Sequence, residues 1–250
     1  MTEFLPLNER ENNSSSMEIN PRGARIESLI LGGHQLLSKV SRGDGKEAST
    51  HPCTPIFGPD GQKRFGLSQH GDARKDDWAV ITSQPNLVEL AYEISDGTYP
   101  PGMKVRQRFE LKDGLFQLVT THENDNVSVA MPVNLAEHFY WLAPQGWHGV
   151  KVNGIDVSNV VLEDRAIPWE DDNIIEISGQ PRIRLQQQGL PYMQGWVGGK
   201  EDDEGNKIST DMRYVCLEAC EGPGERFGSD ASMIGPKSSR TTEVVIRLAA

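Results

Sequence analysis

Residues 103–121, MKVRQRFELKDGLFQLVTT, contain two β-type segments on either side of a tight turn signal. Lys112-Asp113-Gly114 supplies that signal, because an Asp-Gly pair favours the left-handed backbone of a short hairpin loop. We therefore predict an antiparallel hairpin with strands at 103–111 and 115–121. Hairpins of this kind are the local units from which antiparallel sheets are built.

Segments of the same kind recur between turn signals along the rest of the chain. They lie at 24–31, 34–40, 78–82, 87–94, 126–133, 149–152, 157–162, 173–177, 183–187, 193–197, 213–219 and 242–248. Almost no stretch repeats apolar residues at the 3.6-residue period of an amphipathic helix. With 25 Gly and 15 Pro between the strands, the sequence predicts an all-β fold, an antiparallel sandwich or barrel. Two stretches, 41–66 and 198–211, are expected to be long loops.

The composition narrows the class of protein. The 250 residues carry a formal net charge of −11, which disfavours nucleic acid and anionic membranes as partners because phosphate binding needs a basic surface. Three cysteines without paired spacing indicate neither a disulfide framework nor a zinc site. No signal peptide or membrane span is evident, so we expect a cytoplasmic protein. Residues 1–20 are expected to form a disordered or loosely attached arm, followed by a single domain over 21–250.

An acidic side chain interrupts an apolar strand near the end of the chain. In Tyr214–Cys220, YVCLEAC, the alternation of a strand places Glu218 on one face with Cys216, while Leu217 lies on the opposite, core-like face. A carboxylate in such a run is costly unless it is paired or used. We therefore expect Glu218 to line a cleft, with an imidazole as a possible partner. His138 shares a strand face with Ala136 and Tyr140 in the same way.

Three short motifs carry these candidate residues and His70. GLSQHGDAR at 66–74 is followed by Trp78, NLAEHFY lies at 134–140, and YVCLE lies at 214–218. In this order they resemble the HGFAR…W motif, the NLGxHPYF stretch and the glutamate-bearing strand of the aldose 1-epimerase, or galactose mutarotase-like, superfamily. Residues 22–29 and 233–236 are similar to that family's opening strand and to the segment before its last strand. The resemblance covers residues 21–250 and is greatest to the compact members.

The resemblance implies a galactose-mutarotase-like antiparallel β-sandwich and an isomerase that interconverts the α and β anomers of a hexose or related sugar. By that resemblance Glu218 is the catalytic base, His138 the catalytic acid, and His70 a hydrogen-bonding ligand of the sugar. The residue types suit this chemistry, because opening a pyranose ring needs a base at the anomeric hydroxyl and an acid at the ring oxygen. No metal and no organic cofactor are expected, and the partner is a small-molecule sugar.

Two further side chains are candidates for substrate binding. Arg74 is either a solvated surface charge or a ligand of a sugar hydroxyl or phosphate. Trp196 is either a core residue or an aromatic platform for a sugar face. The resemblance also implies a substrate-binding carboxylate in the region of Asp164, Asp171 and Asp172, among which the sequence does not choose.

Alternative functions follow from departures within the motifs. Asp72 replaces an apolar or aromatic residue and Phe139 replaces a proline, so a non-catalytic carbohydrate-binding protein on the same fold stays open. A hexose-6-phosphate 1-epimerase is the other alternative, and a structural or regulatory interaction protein ranks last. We expect a neutral sugar rather than a sugar phosphate, since the basic residues near His70 in sequence alternate with aspartates. The remaining histidines match no chemical pattern and are expected at the surface or in loops: His34, His51, His122 and His148.

Overall fold

Antiparallel strands dominate the computed structural model, which describes residues 4–8, 15–60, 64–201 and 207–249. In chain order the strands are β1 (Leu5–Asn8), β2 (Ser16–Asn20), β3 (Arg25–Leu31), β4 (His34–Ser38), β5 (Val40–Ser41), β6 (Glu47–Ala48), β7 (His51–Cys53), β8 (Ala79–Gln84), β9 (Leu87–Glu93), β10 (Met103–Lys112), β11 (Leu115–Asn124), β12 (Met131–Pro132), β13 (Ala136–His138), β14 (Tyr140–Leu142), β15 (Lys151–Val152), β16 (Ile155–Asp156), β17 (Ala166–Pro168), β18 (Asp172–Glu176), β19 (Ile183–Gln188), β20 (Tyr192–Trp196), β21 (Gly199–Glu201), β22 (Lys207–Thr210), β23 (Tyr214–Cys220), β24 (Met233–Ile234) and β25 (Ser238–Leu248). The helical segments are α1 (Ser158–Leu162) and two 3-10 turns, Gly224–Arg226 and Asp230–Ser232.

Two large sheets contain most of these strands. The first has the order β1-β2-β3-β4-β14-β23-β13-β7, and β20 and β17 extend it from the other side of β23. The short strands β13 and β14 both pair with β23, at its end and its beginning respectively. The second sheet has the order β16-β15-β18-β19-β25-β11-β10-β9-β8. This architecture confirms the predicted all-β antiparallel fold.

The predicted hairpin is present as β10 and β11. Asp113 and Gly114 have φ angles of 53° and 75°, the left-handed conformations that a two-residue turn of this kind requires. Side chains of β10 alternate between buried and half-buried positions, and Phe109 is buried on the inner face. The inner face packs against the first sheet, since Gln107 of β10 donates a hydrogen bond to Glu137 of β13 at 2.9 Å.

The N-terminal segment differs from the expected loose arm. Strand β2 pairs with β3, and β1 pairs with β2, so both extend the first sheet. Leu7, Met17 and Ile19 are buried in the core, and burial of three large apolar side chains offsets the entropy cost of ordering the segment. The expectation of a loose arm is therefore wrong for these strands, while residues 1–3 and 9–14 lie outside the described residues.

Three local predictions also need correction. The stretch 41–66 is not one loop, since it contains part of β5 and all of β6 and β7, and 198–211 contains β21 and β22 on either side of residues outside the description. The strand predicted at 157–162 is instead helix α1, which packs Val160 and Val161 into the core. No helix among the described residues is long and apolar enough to cross a membrane.

Candidate active site

The fold brings the five sequence-predicted site residues to one open cleft of about 1040 Å³. His70, Arg74, His138, Trp196 and Glu218 all line it. They come from separate elements: β13 and β23 carry His138 and Glu218, β20 ends at Trp196, and a loop after β7 carries the other two. Residues far apart in sequence therefore meet in a single concave site.

Glu218 and His138 form a direct contact at the base of the cleft. Nε2 of His138 lies 3.3 Å from Oε1 of Glu218, and both side chains are almost fully buried. Glu218 occupies the middle of the central strand β23, where Gln194 of β20 is its direct neighbour across the sheet. Oε2 of Glu218 and Nδ1 of His138 are buried and have no hydrogen-bond partner among the described residues. Each group thus retains an unused polar atom.

Burial determines the protonation of this pair. It raises the pKa of Glu218 well above its ordinary value, and the charge of Asp164 adds to the effect. Burial likewise lowers the pKa of His138, with smaller contributions from the rings of His51 and His70. Although the contact has the spacing of an ion pair, desolvation favours a neutral carboxylic acid beside a neutral imidazole. The neutral and the ionic pair contain the same number of protons, so the site holds one donor and one acceptor in either form.

The His70 ring has a defined tautomer. The Gly58 amide donates to Nδ1 of His70 at 3.1 Å, and the His70 amide donates to the Gly58 carbonyl at 2.9 Å. Burial, helped by the charge of Arg74, lowers the pKa of His70 to about 4, so the ring is neutral at pH 7. Because Nδ1 accepts, the proton of the neutral ring lies on Nε2. His70 can therefore donate a hydrogen bond to an oxygen in the cleft.

The turn that presents His70 is strained and tightly packed. His70 itself has a φ of 64°, a left-handed conformation that costs energy for a residue with a side chain. The next residue, Gly71, also has a positive φ, and a Cβ there would lie 2.0 Å from the carbonyl oxygen of Thr54. Glycine is thus required for the turn to dock against the segment after β7.

Arg74 and Trp196 have different environments in the cleft. Arg74 is half-buried, and its terminal nitrogen donates to the Gln69 carbonyl at 3.1 Å. Trp196 is also half-buried, and the Arg42 guanidinium lies over its ring at 5.0 Å. A cation on an aromatic face is an attractive contact and gives this wall of the cleft a positive charge.

His51 is a cleft residue that the sequence interpretation placed at the surface or in a loop. It is buried on β7 directly across from His138, and the two ring centroids are 4.9 Å apart in a stacked arrangement. Nδ1 of His51 lies 2.7 Å from the Ser49 carbonyl oxygen, which can only accept, so Nδ1 carries the proton. Burial, together with the charge of Arg25, lowers the pKa of His51. A neutral ring thus braces His138 from one side.

His122 was also expected at the surface or in a loop and is instead buried on a strand, where its Nε2 lies 2.7 Å from the Thr54 hydroxyl oxygen. It belongs to the inner face of β11, away from the lining of the cleft. His34 and His148 are exposed, as expected. Of the three carboxylate candidates, Asp164 lines the cleft and accepts a hydrogen bond from Gln194 at 2.6 Å.

Asp171 and Asp172 do not line the cleft. Asp171 accepts a hydrogen bond from Gln187, and Asp172 pairs with Arg184 on the second sheet. Asp164 is therefore the one candidate of the three that can contact a ligand beside Glu218.

More cations surround the cleft than the sequence interpretation expected. Besides Arg74, its lining includes Arg42, Lys46, Arg64 and Arg165. Arg42 and Lys46 lie in the turn between β5 and β6, and Arg165 precedes β17, so they are distant from His70 in sequence. The sequence interpretation weighed only the basic residues near His70 in sequence, whereas folding brings these other cations to the cleft from separate loops.

Comparisons with known proteins agree with this fold. In solved structures, the chain is similar to a Synechocystis sp. PCC 6803 protein (18% identity, TM-score 0.77, covering 100% of this chain and 96% of that one). It is also similar to a galactose mutarotase-like protein from Lactobacillus casei (15% identity, TM-score 0.76, covering 99% and 100%). A galactose mutarotase related enzyme from Lactobacillus acidophilus has 15% identity and a TM-score of 0.76, with coverage of 99% and 98%. At identities this low, the structural similarity shows a common fold and nothing further.

The sequence comparison with a family model shows the family to which this chain belongs. No curated protein matches the chain. The family model described as aldose 1-epimerase matches residues 7–189, well over half of the sequence. This chain belongs to the aldose 1-epimerase family.

Proposed function

We propose that this protein is an aldose 1-epimerase that interconverts the α and β anomers of a hexose or related sugar. The observation that carries the proposal is the buried contact of Glu218 with His138, 3.3 Å apart in an open cleft. Such a pair provides a proton donor and a proton acceptor at one place, as ring opening requires. His70 adds a neutral hydrogen-bond donor to the same space.

The proposed reaction moves one proton in each direction. The reacting form is the ionic pair, which differs from the neutral pair by transfer of one proton from Glu218 to His138 across their 3.3 Å contact. In that form the Glu218 carboxylate removes the proton of the anomeric hydroxyl as the bond from the anomeric carbon to the ring oxygen breaks, and the His138 imidazolium protonates that ring oxygen. The open-chain aldehyde then rotates about its first carbon–carbon bond, and the reverse transfers close the ring on the other carbonyl face. The pair ends in its initial protonation state, because the proton gained by Glu218 and the proton lost by His138 are exchanged back on closure.

Substrate contacts are assigned by position. Nε2–H of His70 stabilises negative charge that develops on a reacting oxygen. In this proposal Arg74 and Trp196 bind the rest of the sugar, and Asp164, which also lines the cleft, accepts a hydrogen bond from a sugar hydroxyl. The proposed partner is a small-molecule sugar, and neither a nucleic acid nor a membrane takes part in these roles. Cys53 and Cys220 are buried free thiols, which supports a reducing compartment, and we propose the cytoplasm.

A hexose-phosphate 1-epimerase is the second candidate, because five cationic side chains line the cleft of an otherwise acidic protein. Arg74 lines the cleft, and Arg42 lies over the ring of Trp196, which also lines it. Arginine binds phosphate oxygens through paired donors, so a phosphorylated sugar gains contacts that a neutral sugar lacks.

Exchange NMR on a panel of free and 6-phosphorylated hexoses tests these proposals together. Acceleration of anomer exchange for any sugar supports the epimerase. A preference for the phosphorylated form, with competition by inorganic phosphate, supports the second candidate over a neutral substrate. Binding of sugars without acceleration of exchange would instead identify a non-catalytic carbohydrate-binding protein on this fold.

A further inference from the structure

Three donor side chains converge at the base of the cleft: His138, Cys216 and Glu218. One ligand atom from each lies within 4.8 Å of the other two, and all three residues are buried. Cys216 and Glu218 are two residues apart and lie on the same face of β23. Cys216 is the direct neighbour of Tyr140 of β14 across the sheet. The sequence interpretation did not anticipate this set, since no two of the three residues form a recognisable metal motif.

The distance between the ligand atoms of His138 and Glu218 fits two ligands of one metal ion. Tetrahedral geometry separates two ligand atoms by about 1.6 times the bond length, about 3.4 Å for zinc bonds of about 2.1 Å to nitrogen and oxygen. Nε2 of His138 and Oε1 of Glu218 are 3.3 Å apart. A hydrogen bond between charged partners is shorter, about 2.8 Å. The two side chains are thus already at the separation that two zinc ligands adopt.

An unpaired atom at the same place points to a missing ligand. Oε2 of Glu218 is buried and has no hydrogen-bond partner among the described residues, in a side chain that is only 2% exposed. A buried carboxylate oxygen without a partner is costly, and coordination to a cation would offset that cost. This observation is independent of how close the three donors lie.

We propose that His138, Cys216 and Glu218 form a reversible binding site for zinc-class ions such as Zn²⁺, Co²⁺ and Cd²⁺. Imidazole, thiolate and carboxylate together favour these ions over Mg²⁺ and Ca²⁺, which prefer all-oxygen sites. Three protein ligands leave the fourth position open toward the cleft. The incoming ion replaces the thiol proton of Cys216 and the proton shared by the other two residues, and both protons leave to solvent.

Occupancy of this site blocks the proposed acid–base pair, so these ions are expected to inhibit the enzyme. That consequence rests on the proposed function, whereas binding of the ion does not. The two claims therefore need separate measurements, one by spectroscopy and one by catalysis.

Cobalt titration of the full-length, chelator-treated protein tests binding directly. We expect one equivalent of Co²⁺ to produce a thiolate-to-cobalt charge-transfer band in the near ultraviolet, which Zn²⁺ then abolishes by competition. Cys216→Ser should lose the band. Cys220→Ser is the matched control, since Cys220 is buried on the same face of β23 outside the triad, and it should keep the band. Glu218→Gln should weaken Co²⁺ binding at least tenfold, which covers the case in which Cys216→Ser does not fold.

Several results would overturn the site. They are the absence of a charge-transfer band in the wild type, its persistence in Cys216→Ser, or its loss in Cys220→Ser alone. For inhibition, Zn²⁺ should slow anomer exchange by the wild type, a chelator should restore it, and Cys216→Ser should need at least tenfold more Zn²⁺. A cobalt band without anomer exchange on any sugar would support the site and refute the proposed function.

Discussion

Replacing Glu137 with glutamine should remove a pH-dependent loss of stability from this protein. Glu137 lies between the two sheets, where it is 2% exposed and accepts hydrogen bonds from Gln107 and Thr120 at 2.9 and 2.7 Å. Burial raises its pKa from 4.5 to about 7, and these two hydrogen bonds only partly oppose that rise. The folded protein therefore binds a proton at Glu137 more tightly than the unfolded chain does. The contribution of Glu137 to stability falls as the pH rises from about 4.5 to 7 and stays low above that range.

The size of the effect follows from the two pKa values. The difference between 4.5 and about 7, at about 1.36 kcal/mol per pH unit, corresponds to about 3 kcal/mol. Glutamine keeps the size and the acceptor oxygen but does not titrate. Urea unfolding at pH 4 and pH 8 should therefore show that the wild type loses about 3 kcal/mol more than Glu137→Gln over this interval. Equal pH dependence in the two proteins would show that Glu137 does not hold its proton in the folded state.

Substitutions at four other positions test the cleft and the core. His51→Asn and His51→Phe should each lower kcat about tenfold or more with little change in KM, because His51 braces His138 rather than binding sugar; a change in KM alone would contradict this role. Arg74→Ala should raise KM with kcat nearly unchanged, whereas Arg182→Ala, at the exposed surface, should change neither. Phe109→Ala should lower the free energy of unfolding by about 3–5 kcal/mol in urea titrations, since its ring is 1% exposed in the core; a loss under 1 kcal/mol would refute close packing there.

The sequence was sufficient to predict the class of fold because its signals are local. The hairpin of β10 and β11 depends on alternation and on two residues with positive φ, and both properties can be read from a short window. The helix α1 was missed because its five residues are too few to show a helical period. The N-terminal strands were missed because they become ordered only by pairing with β3, which a local sequence pattern does not reveal.

Within the site, residues in motifs were predicted and residues brought by tertiary structure were not. His51 lies on a three-residue strand, and its importance depends on pairing with β13, which is remote in sequence. His122, by contrast, shares the strand face of Phe116 and Leu118, so the alternation of β11 could have predicted its burial. The cations Arg42 and Arg165 could not be assigned to the cleft from spacing, because each reaches it from a different loop.

Anomer exchange by Glu218→Gln tests the central proposal most directly. Glutamine preserves the size of the side chain but cannot accept the anomeric proton, and loss of such a group typically costs about 10²–10⁴-fold in rate. With Glu225→Gln as a control in the same cleft, exchange NMR should show wild-type rates for the control. Glu218→Gln should give no measurable exchange, with sugar affinity within about tenfold of the wild type. Exchange by Glu218→Gln at a rate near that of the wild type would contradict the assignment of Glu218 as the catalytic base.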